Sequence, residues 1–498
     1  MPISTNANES NRDPSRQTSG ICTSALPVLA VIGRFLTPAA TAQLATTCQT
    51  LREALRGFCL DLSTVRMSLT DLFKYFAPAQ CRRTQWSLIG LCVSGLKTGG
   101  DKLHSLAGLV EFVQMLEAVN SLTALDVTDD FHLLDVTELS NLTGLKKLDL
   151  SYCNKLEDIS GLESLSLLEW LDLTECNCLC NLNPLGNLRK LRTLNLRSCG
   201  MWTGLILKKL KNIPLLSCEV ERLSDQEEMS ALCCVSSLRE LTLLESQSVD
   251  GLDNLSNLEY LDLSVTGEVQ SITPLSSLTK LTRLKLEVNS SSNITDFGCL
   301  VSLTNLTTLE LPRSKVSSVK FLRVFSSLDT LDLSGSEQLK DLSPLTSLTA
   351  LKTVNLGGCA AITDSTALTN LPCLAELNLE STSIRTIPLN TSLEVLTLAD
   401  CKFLADCSTG GWSVLLELTQ LRTLDLSQFE SGLPCVPPLP TSLEHLDLSF
   451  CDDLVDITAL SSLFNLVSLN FEECGQLTGW QQVVAPLVNL RTFTDPTG

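Results

Sequence analysis

Between Leu145 and Cys199 one frame, LxxLxLxxC, is written three times: LKKLDLSYC, LEWLDLTEC and LRTLNLRSC. The middle leucine falls at Leu148, Leu171 and Leu194, so the step is 23 residues twice running. A fixed period of roughly 20 to 50 residues is the mark of a solenoid, in which each unit buries its apolar face only by stacking on the next. A chain with this pattern cannot be parsed into ordinary globular domains by length alone.

The register continues well beyond that stretch. Its middle position is held in turn by Leu125, Leu148, Leu171, Leu194, Cys218, Leu241, Leu261, Leu284, Leu309, Leu331, Val354, Leu377, Leu396, Leu424, Leu446, Leu469 and Phe493. Within each LxLxx the two apolar residues alternate with polar ones, the period of a strand. Phrases such as LEDISGLESL, LSPLTSLTAL and VDITALSSL follow, with an apolar residue about every third position. That spacing suits a 3₁₀ or irregular return rather than a long α-helix. Pro-containing returns in IRTIPLNTSLEVL and LPCVPPLPTSLEHL point to extended backbone instead. With strands ~4.8 Å apart, seventeen units would make an arc of roughly 80 Å.

From Leu122 to the C-terminus this pattern resembles the leucine-rich repeat proteins. The returns are similar to the internalin and phosphatase-regulator class, and the LDLSxC wording is similar to kinetoplastid repeat proteins, some of them adenylate cyclase regulators. The resemblance implies an α/β solenoid, a curved horseshoe with parallel strands on the concave face and short returns on the convex face. It also implies that the last frame position turns inward, where its side chain satisfies buried backbone groups as a ladder. Cys153, Cys176, Cys199, Cys359, Cys401, Cys451 and Cys474 stand there. Cysteine suits the place, being small, readily buried and a weak donor.

Upstream, residues 1–25 read as a polar tail and residues 58–121 as irregular capping repeats, with CLDL at 59–62 and LIGLCV at 88–93 as early strands. Residues 26–57 carry helically spaced apolar residues, with Thr37 able to cap a helix that has Pro38 at its first position. Leu26-Pro27, Ile32, Leu36, Pro38, Leu44, Cys48 and Leu51 make this segment resemble an F-box. The resemblance implies docking of a Skp-type adaptor of a cullin ubiquitin ligase through Leu26, Pro27, Ile32, Leu36, Leu44 and Leu51. The other reading is a helical cap that seals the first repeat.

The chain carries a net charge of −20, which disfavours nucleic acid and anionic membranes and favours a basic protein partner. The 21 cysteines follow no disulfide module, and neither a signal peptide nor a membrane span is evident, so the expected compartment is reducing, cytoplasmic or nuclear. Seven N-x-S/T sequons occur, several inside the NLxxL phrase, where repeat composition accounts for them. Three histidines lie far apart, and no phosphate loop, dinucleotide fingerprint or HExxH is present. The expectation is a protein without catalytic activity, cofactor or metal. CxCxC at Cys176, Cys178 and Cys180 lacks the second knuckle of a zinc site.

The position between the two strand leucines holds Asp or Glu in nine of seventeen units and a base only at Lys285. Its side chains are expected to project from the concave face as an acidic stripe, strongest at Asp126, Asp149 and Asp172, with Asp262 further on. Tyr152, Trp170 and Tyr260 flank the stripe, and Tyr152 and Trp170, on adjacent units, are expected to be neighbours. These seven residues form the expected partner-binding face, since exposed aromatics in a charged field are the usual hot-spot type.

Overall fold

In the computed structural model, the described residues are 58–61 and 88–92, for which only the backbone is described, and then 122–199, 210–223, 226–289, 291–404, 411–429 and 432–497. The proposed F-box-like segment, including Leu26, Pro27, Ile32, Leu36, Leu44 and Leu51, lies outside them. The chain divides into two compact units, Met1–Glu221 and Arg222–Gly498.

The first unit holds seven parallel strands. They are β1 (Phe58–Asp61), β2 (Leu88–Cys92), β3 (Ala124–Asp126), β4 (Lys147–Asp149), β5 (Trp170–Asp172), β6 (Thr193–Asn195) and β7 (Ser217–Glu221). Pairing follows the sequence frame position by position: Leu91 faces Leu125, then Leu148, Leu171, Leu194 and Cys218. The stretch around Cys218 is poor in consensus residues, yet it keeps the register, because the cysteine is small and apolar enough to fill the leucine site at 2% exposure.

The second unit holds twelve parallel strands. They are β8 (Glu240–Ser246), β9 (Tyr260–Val265), β10 (Arg283–Val288), β11 (Thr308–Glu310), β12 (Thr330–Asp332), β13 (Thr353–Asn355), β14 (Glu376–Asn378), β15 (Val395–Thr397), β16 (Thr423–Asp425), β17 (His445–Asp447), β18 (Ser468–Asn470) and β19 (Thr492–Thr494). Here too each frame residue faces the next, from Leu241 through to Phe493.

The core of a unit is a column of leucine. In the repeat that starts at β4, Leu148, Leu150, Leu156, Ile159, Leu162, Leu165 and Leu168 are all fully buried. Each such side chain contributes about 1.5–3 kcal/mol by leaving water. The three-residue spacing explains the shape of the return. The amide of Leu162 donates to Ile159, that of Leu165 to Leu162 and that of Leu168 to Leu165, at 2.9–3.0 Å. A 3₁₀ turn repeats every three residues, so one spacing both closes the backbone bonds and keeps every apolar residue on the inner side. At Gly161 the return approaches its neighbour so closely that a Cβ would lie 2.0 Å from the carbonyl oxygen of Val136.

Two features are not legible in the spacing; a third, the Pro-containing returns without a helical turn, agrees with the expectation of extended backbone there. Two returns in the second unit are α-helical: α1 (Gln226–Leu232), where good helix formers follow one another and Glu227 and Glu228 occupy the first turn, and the single turn α2 (Gln481–Val484). The Pro-containing returns at 384–392 and 432–442 carry no helical turn. Strands β8 to β10 are six or seven residues long, where most others have three.

Candidate functional site

Beyond each short strand the chain makes one stereotyped turn, and three residues of that turn set what the strand side presents. The first is the residue between the strand leucines. The Oδ1 atom of Asp149 accepts the Ser151 amide at 3.1 Å and the Ser151 hydroxyl at 2.7 Å. Asp126 accepts the Thr128 amide, Asp172 that of Thr174, Asp332 that of Ser334, Asp425 that of Ser427 and Asp447 that of Ser449. Asparagine makes the same bond at Asn195, Asn355, Asn378 and Asn470. The recurrent acid is therefore a turn-former, which accepts the backbone N–H two residues on.

This corrects the expected free acidic stripe. Asp126, Asp149 and Asp262 are 8%, 2% and 7% exposed, and Asp172 is half-buried. The strand side carries less solvent-facing charge than the residue count suggests. Burial is the main reason the Asp149 carboxyl rises to about 6; its bonds with Ser151 pull the other way, and the carboxylates of Asp172 and Asp126 push it further up. Burial also raises Asp172, against its bonds with Thr174 and Asn195. In the second unit Asp262 lies 3.1 Å from the Lys285 ammonium on the next strand. The ring of Tyr260 sits under the Arg283 guanidinium, 5.7 Å from its centre.

The second recurrent residue lies three positions after the acid, in the left-handed region. Asp129, Tyr152, Glu175 and Ser198 have φ of 50–63° there, and Arg313, Gly335, Gly358, Ser381, Asp400, Gln428, Phe450 and Glu473 repeat it in the second unit. The reversal lets the amide point along the stack. The Tyr152 N–H donates to the Thr174 carbonyl at 2.7 Å and that of Phe450 to Glu472 at 2.8 Å. The same position explains two of the three long strands; in β8 Glu245 there stays left-handed, at φ 51°, and the pairing shifts register between Leu243 and Ser246. In β9 and β10 it holds Val265 and Val288, whose branched side chains resist the left-handed region, so the strand runs on.

The third is the frame cysteine. The thiols of Cys153, Cys176 and Cys199 donate to the carbonyls of Val127, Leu150 and Leu173 in the preceding repeat, at 3.3, 3.2 and 2.8 Å. Cys359, Cys401, Cys451 and Cys474 do the same to Leu333, Leu379, Leu426 and Leu448. Cys199 is half-buried and the other six are buried. Burial pushes the Cys153 thiol up to about 12 and raises Cys176 and Cys199 as well.

Tyr152 and Trp170 do not form one patch. The register sets Trp170 beside Lys147 and Thr193, at the start of the strands. Tyr152 lies beyond the strand end, against Thr174. Five residue positions separate the two levels, on the order of 10 Å or more along the strand direction. Tyr152 is 48% exposed and Trp170 is half-buried. The apolar residues exposed on the strand-exit edge with Tyr152 are Phe131 at 52% and Leu134 at 42%, from the turn of the preceding repeat. The amide of Asp129 reaches the Ser151 carbonyl at 3.0 Å and that of Glu157 reaches Leu134 at 2.9 Å, which fixes the two turns side by side. Asp129, Glu157 and Asp158 stand exposed around them. The sequence signal for Phe131 and Leu134 is that DDFHLLD puts apolar residues where neighbouring turns are polar.

Among the described residues no group of three or more His, Cys, Asp or Glu could hold a metal ion. No described helix is long and apolar enough to cross a membrane.

No protein-family model matches the chain. It is 26% identical over 258 residues to disease resistance protein RPS4B of Arabidopsis thaliana, a match covering 46% of this chain and 21% of the relative, so the chain spans about a fifth of that protein. Among solved structures, a leucine-rich repeat protein of Leptospira interrogans aligns with a TM-score of 0.51 at 20% identity, over 81% of this chain and 95% of that one. TLR13, in its complex with the RNA ssRNA13, aligns with a TM-score of 0.56 at 18% identity, over 82% of this chain and 67% of that one. With the register, the leucine column and the turn ladder, these likenesses show the fold of the leucine-rich repeat type, an α/β solenoid of parallel strands and short 3₁₀ returns.

Proposed function

We propose that this protein is a binding scaffold without catalytic activity, and that the strand-exit edge around Tyr152, with Phe131, Leu134 and the adjoining strand face, receives a protein partner with a basic surface. One observation carries this reading. Tyr152 occupies a left-handed backbone position, at φ 63°, and keeps its ring nearly half in solvent. Glycine or asparagine would make the turn more cheaply. A bulky aromatic that costs about 1 kcal/mol of backbone strain and contributes little burial makes sense as a contact residue. The exposed carboxylates of Asp129, Glu157 and Asp158 around it select a cationic partner. The RNA ligand of TLR13 does not carry over to an edge with this charge. Asp126, Asp149, Asp172 and Asp262 then act by fixing the turns that present the surface, with Trp170 and Tyr260 as further contact residues on the strand face.

The test is Tyr152→Gly. Relief of the left-handed strain and the entropy cost of glycine nearly cancel, so stability should hardly change. Affinity for the partner recovered with the intact chain should fall about tenfold or more, ~1.4 kcal/mol. Unchanged affinity would defeat the proposal.

The finer reading makes the scaffold a substrate-recognition subunit of a cullin-type ubiquitin ligase, with Leu26, Pro27, Ile32, Leu36, Leu44 and Leu51 docking a Skp-type adaptor. It is supported by the sequence pattern at 26–57 alone. Affinity purification of the intact chain should recover adaptor and cullin components, and Leu36→Glu with Leu44→Glu should lose them. If the intact chain recovers neither, the remaining role is a regulatory or scaffold subunit of phosphatase- or cyclase-regulator type, with residues 26–57 as a cap. The expected compartment in either case is cytoplasm or nucleus.

A further inference from the structure

Among the described cysteines of the first unit, Cys153, Cys176 and Cys199 belong to the ladder and Cys218 to the leucine column; Cys178 and Cys180 belong to neither. Both are exposed, whereas Cys153, Cys176 and Cys218 are buried and Cys199 is half-buried. The residue between them, Leu179, is 4% exposed and points into the core. Its amide is held by the Cys176 carbonyl at 3.2 Å. The structure adds a closer constraint: the Cys180 sulfur turns back and lies 3.4 Å from the carbonyl oxygen of Cys178. The two thiols thus share one turn, on a segment pinned from beneath, with access to solvent.

We propose that Cys178 and Cys180 form a redox-active dithiol, which closes to a disulfide by exchange with a low-molecular-weight disulfide of the glutathione class. One thiolate attacks a sulfur of the oxidised reagent, forms a mixed disulfide and releases one reduced thiol. The second thiolate attacks the protein sulfur of that mixed disulfide, closes the ring and releases the other reduced thiol. The two protons lost as the protein thiolates form, and the two electrons given up by the pair, end on the two released thiols. Ring closure is intramolecular, at an effective concentration of millimolar or above, so the mixed disulfide is short-lived. Because the bridge spans a single intervening residue it constrains the unfolded chain little, and excess reduced thiol reopens it. Cys176 takes no part, since its sulfur is buried and bonded to Leu150.

The test uses the intact chain in graded mixtures of reduced and oxidised glutathione, quenched by alkylation and read by peptide mass. The peptide that spans 176–180 should lose two hydrogen atoms, retain one alkylated cysteine, Cys176, and carry no glutathione. It should do so at an oxidant ratio about tenfold lower than that which leaves glutathione on exposed Cys234 or Cys373. Cys178→Ser and Cys180→Ser should each convert the product to a lasting mixed disulfide on the remaining thiol; both positions are exposed, so the fold should tolerate the change. A glutathione adduct that persists on the unaltered pair would overturn the proposal, as would a bridge that includes Cys176.

Discussion

Asp149→Asn should stabilise the first unit, by an amount that depends on pH in a defined direction. Folded Asp149 keeps its proton up to about pH 6, whereas in the unfolded chain it releases it near 3.8. Between those values the folded state binds the extra proton, so stability falls as pH rises, and the contribution present below 3.8 is gone above about 6. The full difference corresponds to about 3 kcal/mol. Asn195 shows what the amide can do at the same place one strand beyond Asp172. It accepts the Arg197 amide at 3.1 Å and donates to the Asp172 and Glu219 carboxylates at 3.3 and 3.0 Å. The amide introduced by Asp149→Asn can keep the Ser151 bonds and place a donor between the carboxylates of Asp126 and Asp172. The advantage over the unaltered chain should grow from about 1.5 kcal/mol at pH 5 to about 3 kcal/mol at pH 7, and then level off. Urea titration at several pH values, followed by hydrogen exchange in peptides covering β3 to β5, would measure it, because a repeat array need not unfold in one step. An advantage that does not vary with pH, or a loss at pH 7, would refute the assignment of burial as the dominant cause.

Cys176→Val should cost about 1 kcal/mol, because the buried Leu150 carbonyl loses one of two donors and keeps only the Cys153 amide at 3.3 Å, while Cys176→Ser should cost less; denaturant titration of both variants checks the order. Gly161→Ala should destabilise by several kcal/mol, since the new methyl would overlap the Val136 carbonyl, and a loss under about 1 kcal/mol in the same titration would contradict the close approach. Phe450→Gly, in the second unit, should leave stability nearly unchanged for the reason given for Tyr152, as thermal melts can show.

Much of this architecture is legible in the sequence because leucine spacing dictates it. A position that must be buried in every unit writes itself as a column, and even Cys218 and Phe493 keep that column's register. What the spacing does not reveal is where a polar side chain spends its hydrogen bonds. Asp149 reads as an outward strand residue because strand alternation says so, but the turn that begins immediately after it offers a backbone donor, and a short carboxylate prefers that donor to water. The separation of Tyr152 from Trp170 escapes the sequence for a related reason: counting residues between adjacent units ignores the level each occupies along the strand. The dithiol is visible as a motif, but the contrast between buried Cys176 and exposed Cys178 and Cys180 needs the burial of Leu179.

The turn ladder has a consequence for how such a chain can change length. Tyr152 reaches forward to Thr174, and Cys176 reaches back to Leu150. A repeat with both the frame cysteine and the left-handed turn therefore offers the same two connectors, one to its successor and one to its predecessor, whereas Ser314 and Ser336 bond each other and Thr382 bonds Leu379 of its own repeat. Excision of one whole step, such as residues 150–172, would bring Asp149 up against Leu173 and present each severed bond with an equivalent partner. Within the regular stretches the repeats behave as interchangeable parts, so gain or loss of a unit should cost little more than that unit's own share of the core. The long-stranded repeats at β9 and β10 lack the left-handed turn, and a cut that joined one of them to an ordinary repeat would leave mismatched connectors.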